Sequence, residues 1–144
     1  MDKIVNNVPV PYEPKKTNRF FIKFPEYFNL SEWVCHSASR PTLRYIGEEN
    51  GEKKYTWDNL IVKMYDPIVM STTKSLMDLV NKNKLSDKFD LTIEMLDPIG
   101  SVIEKWLLSD CEILSIDFGI LSYNIDKPVL NTLFIKINKA ELLF

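Results

Sequence analysis

The side chains best suited to chemistry are one histidine, two cysteines and a group of carboxylates. His36 directly follows Cys35, and the second cysteine, Cys111, lies far along the chain. A cysteine–histidine pair acts as nucleophile and base only if the two side chains converge, whereas neighbouring residues of a strand point to opposite faces. A single histidine with two distant cysteines also lacks the ligand set of a zinc site. The pattern predicts neither a nucleophilic dyad nor a metal site.

The carboxylates raise the question of a glycosidase, which needs two of them in different environments beside a cleft. A solvated strand face explains their spacing more simply. The four glycines form no G-x-G-x-x-G or P-loop pattern, so no phosphate-binding loop is predicted. We therefore predict that the protein is not an enzyme and binds no cofactor. The carboxylates in question are Asp90, Glu94, Asp97, Glu104, Asp110, Glu112 and Asp117.

Length and composition indicate one soluble domain. The chain has 144 residues, of which 45% are apolar and 26% charged, and its net charge is −2. These are ordinary values for a globular protein, without an overall basic bias toward nucleic acid. Two sparse cysteines fit a reducing compartment. No membrane-spanning run and no signal-peptide block is present, which predicts synthesis in the cytosol.

The elements that must position these residues are mostly strands. Alternation and β-branched or aromatic content predict a helix over about 72–83 and strands at 19–24, 32–39, 59–68, 89–99, 102–108, 112–118 and from 130 onward. Ser71, Thr72 and Thr73 are N-cap candidates for the helix. Short connections favour antiparallel pairing. The fold class predicted is mainly β, with two packed, mostly antiparallel sheets (a sandwich or partly closed barrel) and one flanking α-helix.

Two segments are expected to lie apart from this core. Residues 42–57 carry Asn50-Gly51 between charged arms, which predicts a hairpin that is exposed or docked on a partner. Residues 1–18 contain three prolines, which predict an extended N-terminal arm, with Tyr12 as one of its docking groups. The remaining domain is predicted to span 19–144.

The order of motifs in the second half resembles the tail tube proteins of contractile-tailed bacteriophages and, more widely, the superfamily that includes type VI secretion tubes. A strand ends in Asp-Pro-x-Gly, a Trp-x-Leu strand follows, then Phe-Gly, and then Leu-x-Tyr. The first strand and the closing strand also match that family in place and length. The residues that carry the resemblance are Asp97, Pro98, Gly100, Trp106, Leu108, Phe118, Gly119, Leu121 and Tyr123.

The resemblance implies a structural virion protein. Six copies would form a ring, rings would stack into a hollow tail tube, and double-stranded DNA would pass from capsid to host without specific binding. The implied partners are other copies of the chain, the tail sheath, and baseplate or terminator proteins, with no membrane. The implied location is the virion tail, assembled in the host cytoplasm. A baseplate tube-initiator, an injection-system tube relative, and a monomeric β-sandwich module that binds a carbohydrate or protein remain as alternatives.

Two sets of residues follow as site predictions. Asp90, Thr92 and Glu94 lie on one face of a strand without a basic residue between them. We predict that they line the channel, because basic groups there would bind phosphates and slow DNA. Tyr45, Ile46 and Tyr12 are the predicted assembly contacts.

Overall fold

Strands occupy most of the chain in the computed structural model, which describes residues 4–5, 8–9 and 13–144. In chain order the elements are β1 (Ile4–Val5), β2 (Val8–Pro9), β3 (Phe20–Lys23), β4 (Cys35–Ala38), β5 (Leu43–Glu49), β6 (Glu52–Trp57), β7 (Leu60–Tyr65), α1 (Thr72–Asn81), β8 (Phe89–Leu96), β9 (Val102–Asp117), β10 (Leu130–Lys136) and β11 (Lys139–Leu142).

Seven of these strands form one antiparallel sheet. Its order is β3-β8-β9-β10-β7-β4, and β11 also pairs with β9. The β5–β6 hairpin is a separate two-stranded sheet, and β1 pairs with β2 inside the segment predicted as an arm. The predicted class, mainly β and antiparallel with one helix, is confirmed. The main sheet is not closed into a barrel, and within the described residues β3, β4 and β11 each pair with one strand only.

The sheet bends along β9, a long strand that pairs with both halves of the sheet. Residues up to Cys111 pair with β8, and those from Glu112 to Asp117 pair with β10. The prediction of two separate strands here, 102–108 and 112–118, was wrong, because β9 is continuous. Asp110 adopts a left-handed φ of 52° inside a continuous strand, a conformation that Asp tolerates better than most residues. The resulting bulge lets Leu108 and Cys111 both face the core.

Two further element boundaries differ from the prediction. Glu32–Val34 is a short 3-10 helix rather than the start of a strand, because the Ser31 hydroxyl accepts a hydrogen bond from Trp33 N (3.2 Å) and caps it. The closing strand is broken after Lys136, so that β10 pairs with the second half of β9 and β11 with the first. The bend of β9 requires this break, since one straight strand could not follow both halves.

The core is built from the alternating inward residues of both halves of the sheet. In β7 every second residue is buried, and β8 and β10 show the same alternation over most of their length, as strand geometry requires. Each such aliphatic side chain stabilises the fold by about 1.5–3 kcal/mol when fully buried. The buried cluster comprises Ile22, Phe28, Leu60, Val62, Met64, Leu76, Leu79, Phe89, Leu91, Ile93, Leu108, Cys111, Ile113, Leu133, Ile135 and Ile137.

The helix covers one side of this core and begins as predicted. The Ser71 side chain caps it by accepting from Lys74 N at 3.3 Å. Asp66 stabilises the same turn, because its carboxylate accepts from the hydroxyls of Ser71 and Thr73, each at 2.7 Å. The buried stripe consists of Thr72, Ser75, Leu76 and Leu79, whereas Met77 and Val80 are exposed although they are apolar.

Candidate assembly surface

The β5–β6 hairpin projects from the main sheet. Its turn, Asn50-Gly51, has φ values of 52° and 81°, which fits the type I′ geometry predicted from that dipeptide. The pairing register slips by one residue between Tyr45 and Gly47, so Ile46 is the extra residue of a bulge. Nearly every hairpin residue between its two ends is exposed.

The hairpin carries apolar side chains that no other described part of the chain covers. Leu43, Tyr45, Ile46 and Tyr55 are each more than half exposed, and the rings of Tyr45 and Tyr55 lie 5.7 Å apart, in contact with each other. A two-stranded ribbon of this kind is marginally stable alone, and clustered exposed apolar groups mark a contact surface. Both predicted contacts, Tyr45 and Ile46, are thus accessible, whereas Tyr12 lies outside the described residues.

Two loops add further exposed apolar groups. The connection between β7 and α1 presents three in succession, Ile68, Val69 and Met70. The connection between β9 and β10 presents Ile120, Leu121, Tyr123 and Ile125. Scattered single residues of this sort need no explanation, but consecutive ones on projecting loops indicate contact with another molecule.

The edges of the sheet are a third accessible feature. Within the described part of the chain, β3 pairs only with β8 and β4 only with β7. Each edge strand has four residues. Such edges expose unpaired backbone groups that can pair with another chain. Phe21 lies in the edge strand β3, and its ring is 5.3 Å from the ring of Trp33 in an edge-to-face arrangement.

The Asp-Pro-x-Gly motif forms the turn between β8 and β9. Asp97 Oδ1 accepts hydrogen bonds from Ile99 N at 3.0 Å and Ser101 N at 2.8 Å. Gly100 has a φ of 89°, and Pro98 fixes the chain at the start of the turn. The motif therefore has a local folding role, which is to reverse the chain.

Some of the later motif residues have a role in folding, and others are exposed. Gly119 has a φ of 90°, and a Cβ there would lie 2.8 Å from the backbone oxygen of Leu130, so the position requires glycine. Phe118 is partly exposed and Tyr123 is fully exposed. Leu108, by contrast, is completely buried.

The polar face of β8 is less acidic than the strand alone indicates. Asp90 is exposed and accepts from Asp110 N at 3.0 Å, and Thr92 is half-buried. Glu94 is buried, and its carboxylate lies 2.7 Å from Lys23 Nζ. The hydrogen bond to Glu94 raises the pKa of Lys23, although burial of the amine opposes this. Lys105 of β9 is the register partner of Glu94, so cations from neighbouring strands offset the acidic groups.

Sequence reasoning missed the most connected polar group, Glu104. Its carboxylate is buried beside Trp106. The only available signal was strand alternation, which places Glu104 on the same face as Trp106 and Leu108. Burial disfavours the charged carboxylate, but hydrogen bonds from Lys15, Arg40 and Trp106, with the charge of Arg40, lower the pKa of Glu104 to about 2.

The groups first considered for catalysis do not meet. Cys35 packs against the core and its Sγ lies 3.9 Å from the Ser37 carbonyl oxygen, whereas His36 is exposed beside the Tyr65 ring. Burial raises the pKa of the Cys35 thiol to about 11, which disfavours the thiolate. No cluster of three potential metal ligands occurs among the described residues. Within the same residues, no helix has the length and apolarity needed to cross a membrane.

Comparison with known proteins supports the fold. No protein-family model and no curated protein sequence matches the chain. A chain of the sheath/tube terminator structure of an extracellular contractile injection system, PVC, matches with a TM-score of 0.69 and 14% identity, over 92% of this chain and 98% of that one. A chain of the PVC sheath-tube complex matches with a TM-score of 0.67 and 15% identity, over 92% and 93%.

A protein of a different system shares the architecture. Hcp1 from Flavobacterium johnsoniae matches with a TM-score of 0.62 and 8% identity, over 87% of this chain and 94% of that one. At such identities the likeness shows the fold. The chain therefore shares the fold of these solved structures, and that fold is the one implied by the resemblance of the motifs.

Proposed function

We propose that this protein is a subunit of a hollow tube in a contractile tail or injection machine, built from stacked rings of its own copies. The observation that carries the proposal is the fold likeness to contractile-system proteins, which extends over about nine-tenths of the chain. Because the match also covers nearly all of each neighbour, it concerns the whole domain and not a shared sandwich motif.

The exposed features of the subunit fit self-assembly. An apolar hairpin, two apolar loops and two short sheet edges would each be a liability in a free monomer. Closure of copies into a ring would cover such surfaces, because cyclic symmetry brings each patch against a neighbour. A monomeric module that binds a carbohydrate or protein would need one such surface rather than several.

Within this proposal, Tyr45 and Ile46 contact a neighbouring copy, in the same ring or the next. Both side chains are accessible, and among residues 13–144 no other layer packs on the hairpin that carries them. Residues 1–18 form the arm of the domain, and Tyr12 is proposed as its docking group.

The number of copies and the cargo are finer parts of the proposal. A ring of six would place the β8 face, with Asp90 and Thr92, toward the channel, and Glu94 would contribute there as an ion pair with Lys23. Such a lining has little net charge, so double-stranded DNA could slide without strong phosphate contacts. Sheath, baseplate and terminator proteins are the further partners, in a virion tail assembled in the host cytoplasm.

An injection-system tube or a tube-initiating baseplate subunit is the second candidate. It is favoured by the nature of the neighbours, which include chains from an anti-feeding prophage baseplate and its tube-terminating cap. In that case the cargo would differ from genomic DNA, while the ring and its contacts would remain the same.

Sedimentation velocity with negative-stain microscopy of the purified chain tests the proposal. We expect rings of uniform diameter with a central hole, or stacks of them, at concentrations from micromolar upward. A folded chain that sediments as a monomer at every concentration would refute tube formation and favour the monomeric binding module. Rings with a number of copies other than six would revise the stoichiometry alone.

A further inference from the structure

One buried carboxylate accepts hydrogen bonds from side chains of three separate segments. Glu104 is 4% exposed. Its Oε1 lies 2.7 Å from Lys15 Nζ, both of its oxygens accept from Arg40 Nη1 at 2.9 and 3.0 Å, and its Oε2 accepts from Trp106 Nε1 at 2.8 Å. Charge-assisted bonds of this kind offset the cost of burying an ion. The carboxylate therefore depends on all three donors.

Two of these donors lead to the two ends of the hairpin. Arg40 lies in the connection that enters β5. Trp106 meets Trp57, the last residue of β6, with ring centroids 6.2 Å apart in an edge-to-face arrangement. Asp58 N donates to Thr42 O at 2.9 Å and closes the base of the hairpin. Beyond this base the hairpin is exposed, so its direction is set where it leaves the sheet.

The third donor belongs to the segment that precedes β3. Lys15 is about half exposed at its side chain, and its ion pair within the described residues is with Glu104. Its neighbour Lys16 is equally a lysine and is exposed, without an ion pair in that part of the chain. The two lysines can therefore be compared directly, because Lys15 contacts Glu104 and Lys16 does not.

We infer that Glu104 is a positioning residue that couples the N-terminal segment to the hairpin. Without Lys15, Arg40 and Trp106 become the only donors to a buried charge, and their side chains move to compensate for the lost contact. The base of the hairpin moves with them, because Arg40 precedes it and Trp106 packs on Trp57. The coupling belongs to a single subunit. Only its consequence rests on the proposed function: in a tube, a contact made by the N-terminal segment would alter how Tyr45 and Ile46 are presented.

Hydrogen exchange followed by mass spectrometry tests this coupling on the full chain. The variants are Lys15→Met, Lys16→Met as the matched control, and Lys15→Arg, which keeps the charge. Lys15→Met should raise amide exchange in residues 42–44 and 56–58 about three- to tenfold, a range typical of coupling between linked sites. Lys16→Met should leave these amides unchanged, and Lys15→Arg should restore most of the protection.

Two results would overturn the inference. One is equal exchange at the hairpin base in the Lys15→Met and Lys16→Met proteins. The other is a uniform increase across β7 and β10 as large as that at the hairpin, which would mean a general loss of stability without specific coupling. Sedimentation of each sample fixes the assembly state, so failure of the coupling can be distinguished from failure to form rings.

Discussion

Strands β7 and β5 both carry large apolar side chains, but in opposite surroundings. In β7 the alternate residues Leu60, Val62 and Met64 are buried. In β5 Tyr45 and Ile46 are 52% and 59% exposed. The difference lies in the neighbours, since β7 pairs with both β10 and β4 whereas β5, in the part of the chain that the structure describes, pairs with β6 alone.

Apolar residues therefore stabilise this fold only where a second layer covers them. Alternation determines which face a strand residue takes, but topology determines whether anything lies opposite that face. The hairpin has its own backbone pairing, and within the described residues it has no covering layer. Its apolar side chains are available to another molecule, which on our proposal is another copy of the chain.

The largest expected effect comes from the same substitution, leucine to alanine, made once in the core and once in the hairpin. Leu133 is 0% exposed and Leu43 is 53% exposed. Leu133→Ala should lower the free energy of unfolding by about 3–5 kcal/mol because it leaves a cavity. Leu43→Ala should lower it by less than about 0.5 kcal/mol. Urea denaturation followed by circular dichroism measures both, and similar losses would mean that the hairpin is part of the core.

The next effect concerns the buried ion cluster and pH. The pKa of Glu104 is about 2 in the folded chain, against an ordinary value of 4.5. As the pH falls, the unfolded chain takes up the proton first, so the stabilisation is full above about pH 5 and is lost between about pH 4.5 and 2.

Its size should be on the order of 1–3 kcal/mol, since Lys15 and Arg40 are about half exposed and partly screened. Glu104→Gln should remove this component, so that the stability difference between the wild type and the variant narrows on acidification. A difference that stays constant from about pH 6 to pH 3 would show that Glu104 is not held as the charged partner of these donors.

Two glycines provide a smaller effect with a matched control. Gly119, at the end of β9, and Gly51, in the hairpin turn, have φ values of 90° and 81°. Gly119→Ala should cost about 2 kcal/mol or more, because backbone strain adds to the contact with Leu130 O. Gly51→Ala meets open space, and its strain should be released by local opening of the hairpin.

We therefore expect Gly51→Ala to change global unfolding by less than about 0.5 kcal/mol. Thermal unfolding of both variants checks the pair. Equal losses would contradict the view that the hairpin folds as an appendage of the sheet.

The sequence predicted the parts of the fold that are specified locally. The alternation in β8, the cap at Ser71 and the Asn50-Gly51 turn each act within a few residues, and each forms as expected. The bend of β9 did not follow from pattern, because Ser109-Asp110 looks like a turn and only the pairing with β8 and β10 keeps the strand continuous.

The candidate surface was only partly predictable for the same reason. Tyr45 and Ile46 could be selected because a charged hairpin lacks a core of its own. The ion pair of Glu94 with Lys23 joins two strands that lie far apart in sequence, and the Glu104 cluster joins residues 15, 40 and 104. Contacts of this range depend on topology, which no local pattern encodes.

The central claim is that the exposed apolar side chains of the hairpin contact another copy of the chain. One assembly measurement tests this claim directly. The double variant Tyr45→Ser/Ile46→Ser is compared with Glu49→Ser/Glu52→Ser, which changes two polar residues of the same hairpin. We expect both variants to unfold within about 0.5 kcal/mol of the wild type. Negative-stain images should show rings or tubes for the wild type and the glutamate variant. The Tyr45/Ile46 variant should show at least about tenfold fewer of them, which corresponds to roughly 1.4 kcal/mol of contact energy. Tubes of normal length and yield from the Tyr45/Ile46 variant would contradict the claim.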